Sequence, residues 1–196
     1  KLDGESYALK ILANSFYGYM GFYGARWYSF DCARSITAYG RKYIENLIKS
    51  ANKKNISVIY GDTDSIFLID NEEVDEFIKG VNKDLPDPMK LEDEGTYESG
   101  IFLEKRNSTS GAKKRYALMN KNGNLTIKGL ESKRGDWSKL SKDSQIKILT
   151  SVLKTKSIKS AEKIIREIIE KINGNKLSLD NFVLKNKLTR NLDDYK

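Results

Sequence analysis

Apolar residues recur along the chain with two different periods. Between residues 5 and 20, Ala8, Leu9, Ile11, Leu12, Ala13 and Phe16 predict a helix that breaks among Gly18, Gly21 and Gly24. Lys10, Asn14 and Tyr17 fall at i, i+4 and i+7 and share one face of it. A second helix is predicted over 30–51 from Ala33, Ile36, Tyr39, Tyr43, Leu47 and Ala51, with Asp31 as its N-cap or first-turn acid. Two short β-branched runs then flank Tyr60-Gly61-Asp62-Thr63-Asp64-Ser65, which predicts a hairpin over 56–69 turning at the Gly61-Asp62 step. Residues 73–82 read as a short amphipathic helix ended by Leu85-Pro86-Asp87-Pro88.

From Met89 to Lys128 the pattern becomes strand-like. The best strand runs are 103–106, 115–119 and 125–128, separated by turns at 107–111 and 121–124. After Gly135 it is helical again. Helices are predicted over 138–155 and 157–172, the second striped by Ile164, Ile165, Ile168 and Ile169 and stopped at Gly174. A third helical piece is predicted over 178–190. No repeat or low-complexity tract interrupts the chain, and the change of texture sets a boundary at 130–137.

Composition narrows the chemistry. The 196 residues suit one domain or slightly more, with enough chain to bury a core. No apolar run approaches the ~18 residues of a membrane span, and no signal-peptide pattern opens the sequence. The lone Cys32 excludes an internal disulfide framework and fits an intracellular setting, the cytoplasm or nucleoid. With no histidine, the chain holds no Ser-His-Asp or Cys-His centre and no His-ligated zinc.

The net charge of +8 is unevenly placed. Residues 1–132 balance at 19 basic and 19 acidic side chains, while residues 133–196 carry 16 basic against 8 acidic. Asp70 to Glu98 runs the other way, with 11 acidic against 3 basic. A basic C-terminal third suits a polyanionic partner, and equally a lysine-rich solvated surface.

The predicted hairpin carries two carboxylates, Asp62 and Asp64, one residue apart, on one face if the chain stays extended between them. Like charges held that close repel, and a hard divalent cation such as Mg²⁺ removes the conflict. The plainer alternative is an ordinary polar turn, where aspartate is common.

Read together, Lys10-x-x-x-Asn14-Ser15-Phe16-Tyr17-Gly18 and Tyr60-Gly61-Asp62-Thr63-Asp64-Ser65 resemble motifs B and C of the family B (α-like) DNA-directed DNA polymerases, in the family's order and spacing. Lys113-Lys114-Arg115-Tyr116 resembles its primer-binding motif. Gly129-Leu130-Glu131 with Arg134-Gly135-Asp136-Trp137 resembles its palm-to-thumb junction, and Leu188-Thr189-Arg190 a thumb motif. The family's arginine-glutamine pair ahead of motif B is replaced here by Glu5-Ser6. The resemblance implies an α+β fold. It consists of the end of a fingers helix at 1–24, half of an antiparallel palm with packed helices at 25–132, and a basic, partial helical thumb at 133–196.

The resemblance also implies roles. Asp64 and Asp62 would hold two Mg²⁺ ions for nucleotidyl transfer in DNA replication or repair. Lys10, Asn14 and Tyr17 would bind the incoming deoxynucleoside triphosphate, Lys10 with a catalytic part. Gly61, Thr63, Lys113, Lys114, Arg115, Tyr116, Lys128, Arg134 and Arg190 would contact primer–template DNA. Motif A, with the remaining metal-binding carboxylate, does not occur in this sequence, nor does an exonuclease domain. The expectation is therefore the C-terminal part of a polymerase, either a fragment or the small chain of a split archaeal member, that acts in an obligate heterodimer with a larger polymerase chain and has no membrane partner. Two other readings compete. A non-catalytic DNA-binding remnant has no need of Asp62, Asp64 and Lys10. A glycosyltransferase with an Asp-x-Asp site leaves the first helix and the basic C-terminal third without a role.

Overall fold

A computed structural model of the chain describes residues 2–105, 107, 111–185 and 189, with side chains from Gly4 onward. They form two compact units, residues 1–93 and 94–196. In the first unit, α1 (Leu2–Gly21) and α2 (Phe30–Lys53) precede an antiparallel pair, β1 (Val58–Asp62) and β2 (Ser65–Leu68), and then α3 (Val74–Asp84). Ser29 rather than Asp31 caps α2, its Oγ accepting from the Cys32 amide at 3.4 Å, and Asp31 sits in the first turn where the helix dipole favours an acid. Past the end of α2, Asn55 takes a left-handed φ of 57°, and the Ile56 amide bonds back to the Ala51 carbonyl at 3.0 Å. That reversal drives Ile56 into the core with Ala51 and Phe77 of α3, ringed by Leu47, Val58, Leu68 and Val74. Burying Phe77 removes a whole aromatic side chain from water, which stabilises the unit by roughly 2–3 kcal/mol. Asn82 holds the proline-containing segment after α3 with two bonds to the Leu91 backbone, at 2.7 and 2.9 Å.

In the second unit, β3 (Ser99–Glu104), β4 (Gly111–Met119) and β5 (Leu125–Lys128) make an antiparallel meander, followed by α4 (Lys139–Thr155) and α5 (Ile158–Asn173). Ala117, Met119, Ile127, Leu130 and Leu153 form its core, so α4 closes one face of the sheet. The Ser99 hydroxyl donates to the Leu153 carbonyl at 2.9 Å across that contact. The β4–β5 turn is held by Asn120, whose Oδ1 accepts from the Asn122 and Asn124 amides at 3.1 and 2.9 Å.

Several expectations shift. The strand expected at 103–106 begins at Ser99, because Gly100 lies opposite Leu118 and a Cβ there would come within 2.8 Å of that side chain. Gly100 leaves room for the Leu118 side chain across the pair. The helix expected over 178–190 is, as far as Lys185, only a 3₁₀ turn at Leu179–Asn181. Ser178 and Asn181 bond to each other there, at 2.9 Å, and compete with a continuing ladder. Residues 186–188 and 190, including Leu188 and Arg190, lie outside the described residues. The texture change at 130–137 falls inside the second unit, because the sheet needs α4 to cover it.

Candidate functional site

The two aspartates are set by the β1–β2 register. Gly61 pairs with Ile66 and Asp62 with Ser65, leaving Thr63 and Asp64 as the two-residue connection. The turn is therefore at Thr63-Asp64, not at Gly61-Asp62. Gly61 stays in the strand, where an added Cβ would meet Ile48 and Ile66 at ordinary contact distances of 3.6 and 3.7 Å. Thr63 instead takes the left-handed conformation, φ 52°, which is costly for a β-branched residue. Local bonds offset that cost: the Asp64 amide donates to the Asp62 carbonyl at 2.6 Å, and the Thr63 hydroxyl donates to Asp62 Oδ1 at 3.1 Å. Ser65 Oγ donates to the same Asp62 carbonyl at 3.3 Å. Because Thr63 is left-handed, the same-face argument for an extended chain does not apply, and the turn itself sets the two carboxyl groups. Asp64 is exposed and Asp62 half-buried.

These donors suit Mg²⁺ in kind, being hard oxygens at an accessible tip. Among the described residues, no three acidic or sulfur side chains cluster as a metal cage. Asp62 and Asp64 thus fit as part of a ligand set that needs oxygen from elsewhere.

On α1, Lys10, Asn14 and Tyr17 are all exposed along the predicted face. Gly18 continues it, and a Cβ there would meet nothing within 4 Å, so nothing among the described residues requires that glycine. Gly21 does pack, with 3.6 Å from its missing Cβ to Ala33 of α2. Helix α2 contacts α1 on one side and the hairpin on the other, and so carries both groups within one unit. A second stripe on α1 (Leu9, Leu12 and Phe16) is also exposed, with Leu9 at 66 %.

In the second unit, β4 bulges sharply. Phe102 pairs with Tyr116 and Glu104 with Gly111, so residues 112–115 stand opposite Leu103 alone. Lys114 is left-handed there, φ 57°, and Gly129 beyond β5 is left-handed too, φ 61°. A Cβ on Gly129 would stand inside the van der Waals shell of the Lys114 carbonyl oxygen and 3.0 Å from its carbon. Lys113 and Lys114 are exposed at the bulge crest, as is Lys128 at the end of β5.

Tyr116 packs against Phe102 with the rings tilted by 41° and 5.6 Å between centroids. Arg115 turns away to Glu131, Nη2 to Oε1 at 2.5 Å, and Arg134 is held bidentately by Asp136 at 3.0 and 2.6 Å. Two of the arginines expected on the DNA surface thus have carboxylate partners within the unit, and Lys113, Lys114 and Lys128 are exposed. The Gln145 bond first, then a bond to its own backbone N–H and, more weakly, the Arg115 charge hold the Glu131 carboxyl below the usual glutamate range. The Arg134 bond likewise lowers Asp136, and Asp136 raises Arg134.

Sequence reasoning left Gln145 and the steric role of Gly129 unread. A glycine at the end of a strand is a signal for close backbone approach. An isolated glutamine on a helix carries no comparable mark.

The family model for DNA polymerase family B matches residues 1–196. A DNA polymerase of Thermococcus sp. (strain 9oN-7) is 40% identical over 204 residues, covering 100% of this chain and 25% of that protein. One from Archaeoglobus fulgidus is 38% identical, covering 99% of the chain and 24% of its own length. The solved family B DNA polymerase from the hyperthermophilic archaeon Pyrobaculum calidifontis aligns with a TM-score of 0.74 at 35% identity, over 100% of this chain and 24% of that one. The chain spans about a quarter of the length of these relatives. On its sequence throughout and on its fold, the chain belongs to DNA polymerase family B.

Proposed function

We propose that this chain supplies the nucleotide-binding helix, one metal-binding hairpin and the primer grip of a template-directed DNA polymerase. The remaining carboxylate and the other domains come from the rest of the enzyme, whether on the same polypeptide or, as a split polymerase, on a separate larger chain. The observation that carries this reading is the hairpin tip. Asp62 and Asp64 are presented at a two-residue turn whose left-handed Thr63 is tied to Asp62, in a chain of this family.

The reaction joins a primer 3′-oxygen to the α-phosphorus of a deoxynucleoside triphosphate and releases pyrophosphate. Asp64 and Asp62 would hold Mg²⁺, which supplies Lewis-acid stabilisation of the attacking and leaving oxygens. Lys10 is an exposed cation on α1 and would sit against the triphosphate, offsetting charge that develops on the leaving group. Asn14 and Tyr17 extend the same face towards the new base pair, and the open space at Gly18 lets a base pair approach the helix backbone. Lys113, Lys114 and Lys128 would bind primer-strand phosphates, which positions the duplex without reading its sequence. The basic surface of α4 and α5 would follow the duplex further. The uncovered Leu9, Leu12 and Phe16 stripe fits a helix of the remaining fingers.

The test is reconstitution. The chain alone should show no Mg²⁺-dependent extension of a primed template, and extension should appear when the remainder of the polymerase is added. Robust extension by the chain alone, with contaminating polymerase excluded, contradicts the shared-centre reading.

A further inference from the structure

Glu131 engages both carboxylate oxygens inside the second unit. Oε1 accepts from Arg115 Nη2 of β4 at 2.5 Å, and Oε2 accepts from Gln145 Nε2 of α4 at 2.8 Å. Gln145 in turn accepts the Ser132 backbone N–H on its Oε1 at 2.7 Å. One glutamate thus ties the strand, the 3₁₀ turn Glu131–Lys133 and the helix together. Immediately before Arg115 stand Lys113 and Lys114 on the bulge, and the first turn of α4 carries Lys139 and Lys142.

Two magnitudes decide what this network is for. The Arg115 and Glu131 side chains are 42% and 26% exposed, and ion pairs that open to water contribute only about 0–1 kcal/mol to stability. Electrostatically, a carboxylate in a stretch of chain that carries Lys128 and Lys133 lowers that stretch's attraction for a polyanion. An acid that adds little stability and opposes the surface charge is best explained by geometry.

We propose that Glu131 is a positioning residue: by binding Arg115 and Gln145 at once, it fixes the bulge lysines relative to the basic start of α4, so that both reach one DNA backbone. The proposal rests on the polymerase reading given above. Gly129 serves the same end from the other side, since only a residue without Cβ lets the chain entering this turn lie against the Lys114 carbonyl.

The experiment measures primer–template affinity of the complete polymerase across a salt series, with unfolding midpoints recorded for each variant. Glu131→Gln cannot keep the whole network. Its new NH₂ group faces that of Gln145, and flipping Gln145 would surrender the Ser132 bond. Charge alone predicts tighter binding by this variant, because it removes a negative charge. The brace predicts the opposite: weaker binding, with the salt slope shallower by about 1 for each phosphate that is no longer neutralised. Gln145→Met alters no charge and should act in the same direction. The exchanged double variant Glu131→Gln/Gln145→Glu restores the net charge and a donor–acceptor chain, and should recover the wild-type slope. Equal or tighter binding by Glu131→Gln, or an unchanged slope in folded Gln145→Met, overturns the brace while leaving the polymerase reading intact. Failure of the wild-type enzyme to bind primer–template at all overturns both.

Discussion

Replacing Gly129 with alanine places a methyl group where the structure has a carbonyl. Gly129 sits at φ 61°, and its Cβ would overlap the Lys114 oxygen and lie 3.0 Å from the Lys114 carbon and 3.4 Å from Arg115 Cγ. The left-handed conformation costs alanine about 1–2 kcal/mol over glycine. The overlap adds overpacking of about 1–3 kcal/mol, because the obstacle is backbone, held in its own left-handed bulge, and not the end of a flexible side chain. The sum, about 2–5 kcal/mol, is large against a domain stability of about 5–15 kcal/mol. At roughly 4–8 °C per kcal/mol for a unit of this size, the melting temperature of the second unit should fall by about 8–40 °C. The assay is thermal unfolding followed by circular dichroism, with Gly135→Ala as control. Gly135 has nothing within 4 Å of an added Cβ and no positive φ. The control should stay within about 0.5 kcal/mol of wild type. If Gly129→Ala also does, the close approach of the two backbones is refuted.

Lys10→Ala should lower kcat/KM for the incoming nucleotide by about 100-fold or more, the scale of one lost charge stabiliser, with primer–template affinity nearly unchanged. Steady-state kinetics and a binding titration separate the two, and the reverse pattern would move Lys10 to the DNA surface. The depressed Glu131 carboxyl contributes stability that is fully present above its unfolded-state pKa and is lost as pH falls through the lower folded value. Wild type should therefore lose stability relative to Glu131→Gln as acid is added below about pH 5, read from denaturant midpoints, and parallel pH curves would deny the shift.

Much of this architecture is legible in the sequence because burial is periodic. The stripes at 30–51 and 157–172 and the strand run at 115–119 return as α2, α5 and β4, with small end shifts in the helices and with β4 beginning earlier, at Gly111. The details that fail to read are those where one residue's conformation depends on a distant neighbour. The start of β3 at Ser99 goes unread until Leu118 is placed across from Gly100. The Gly61-Asp62 step looks like the turn until the register gives the left-handed position to Thr63, an uncommon residue for it. Gly174 stops α5 as expected, yet the left-handed residue is the next one, Asn175, at φ 51°. In the candidate site, charge marks Lys113, Lys114, Arg115 and Arg134 alike, and only the fold shows that the arginines answer to Glu131 and Asp136 while the lysines face outward.

The central claim is that the hairpin tip is a metal-binding part of a polymerase centre. The direct measurement is single-turnover, Mg²⁺-dependent primer extension by the complete enzyme carrying Asp64→Asn. The change removes a charge from an exposed turn, so folding and primer–template affinity should match wild type. The rate of nucleotide addition should fall by at least about 1,000-fold, the scale of losing several kcal/mol of transition-state stabilisation. Extension within a few-fold of wild type by the folded, DNA-bound variant would contradict the account.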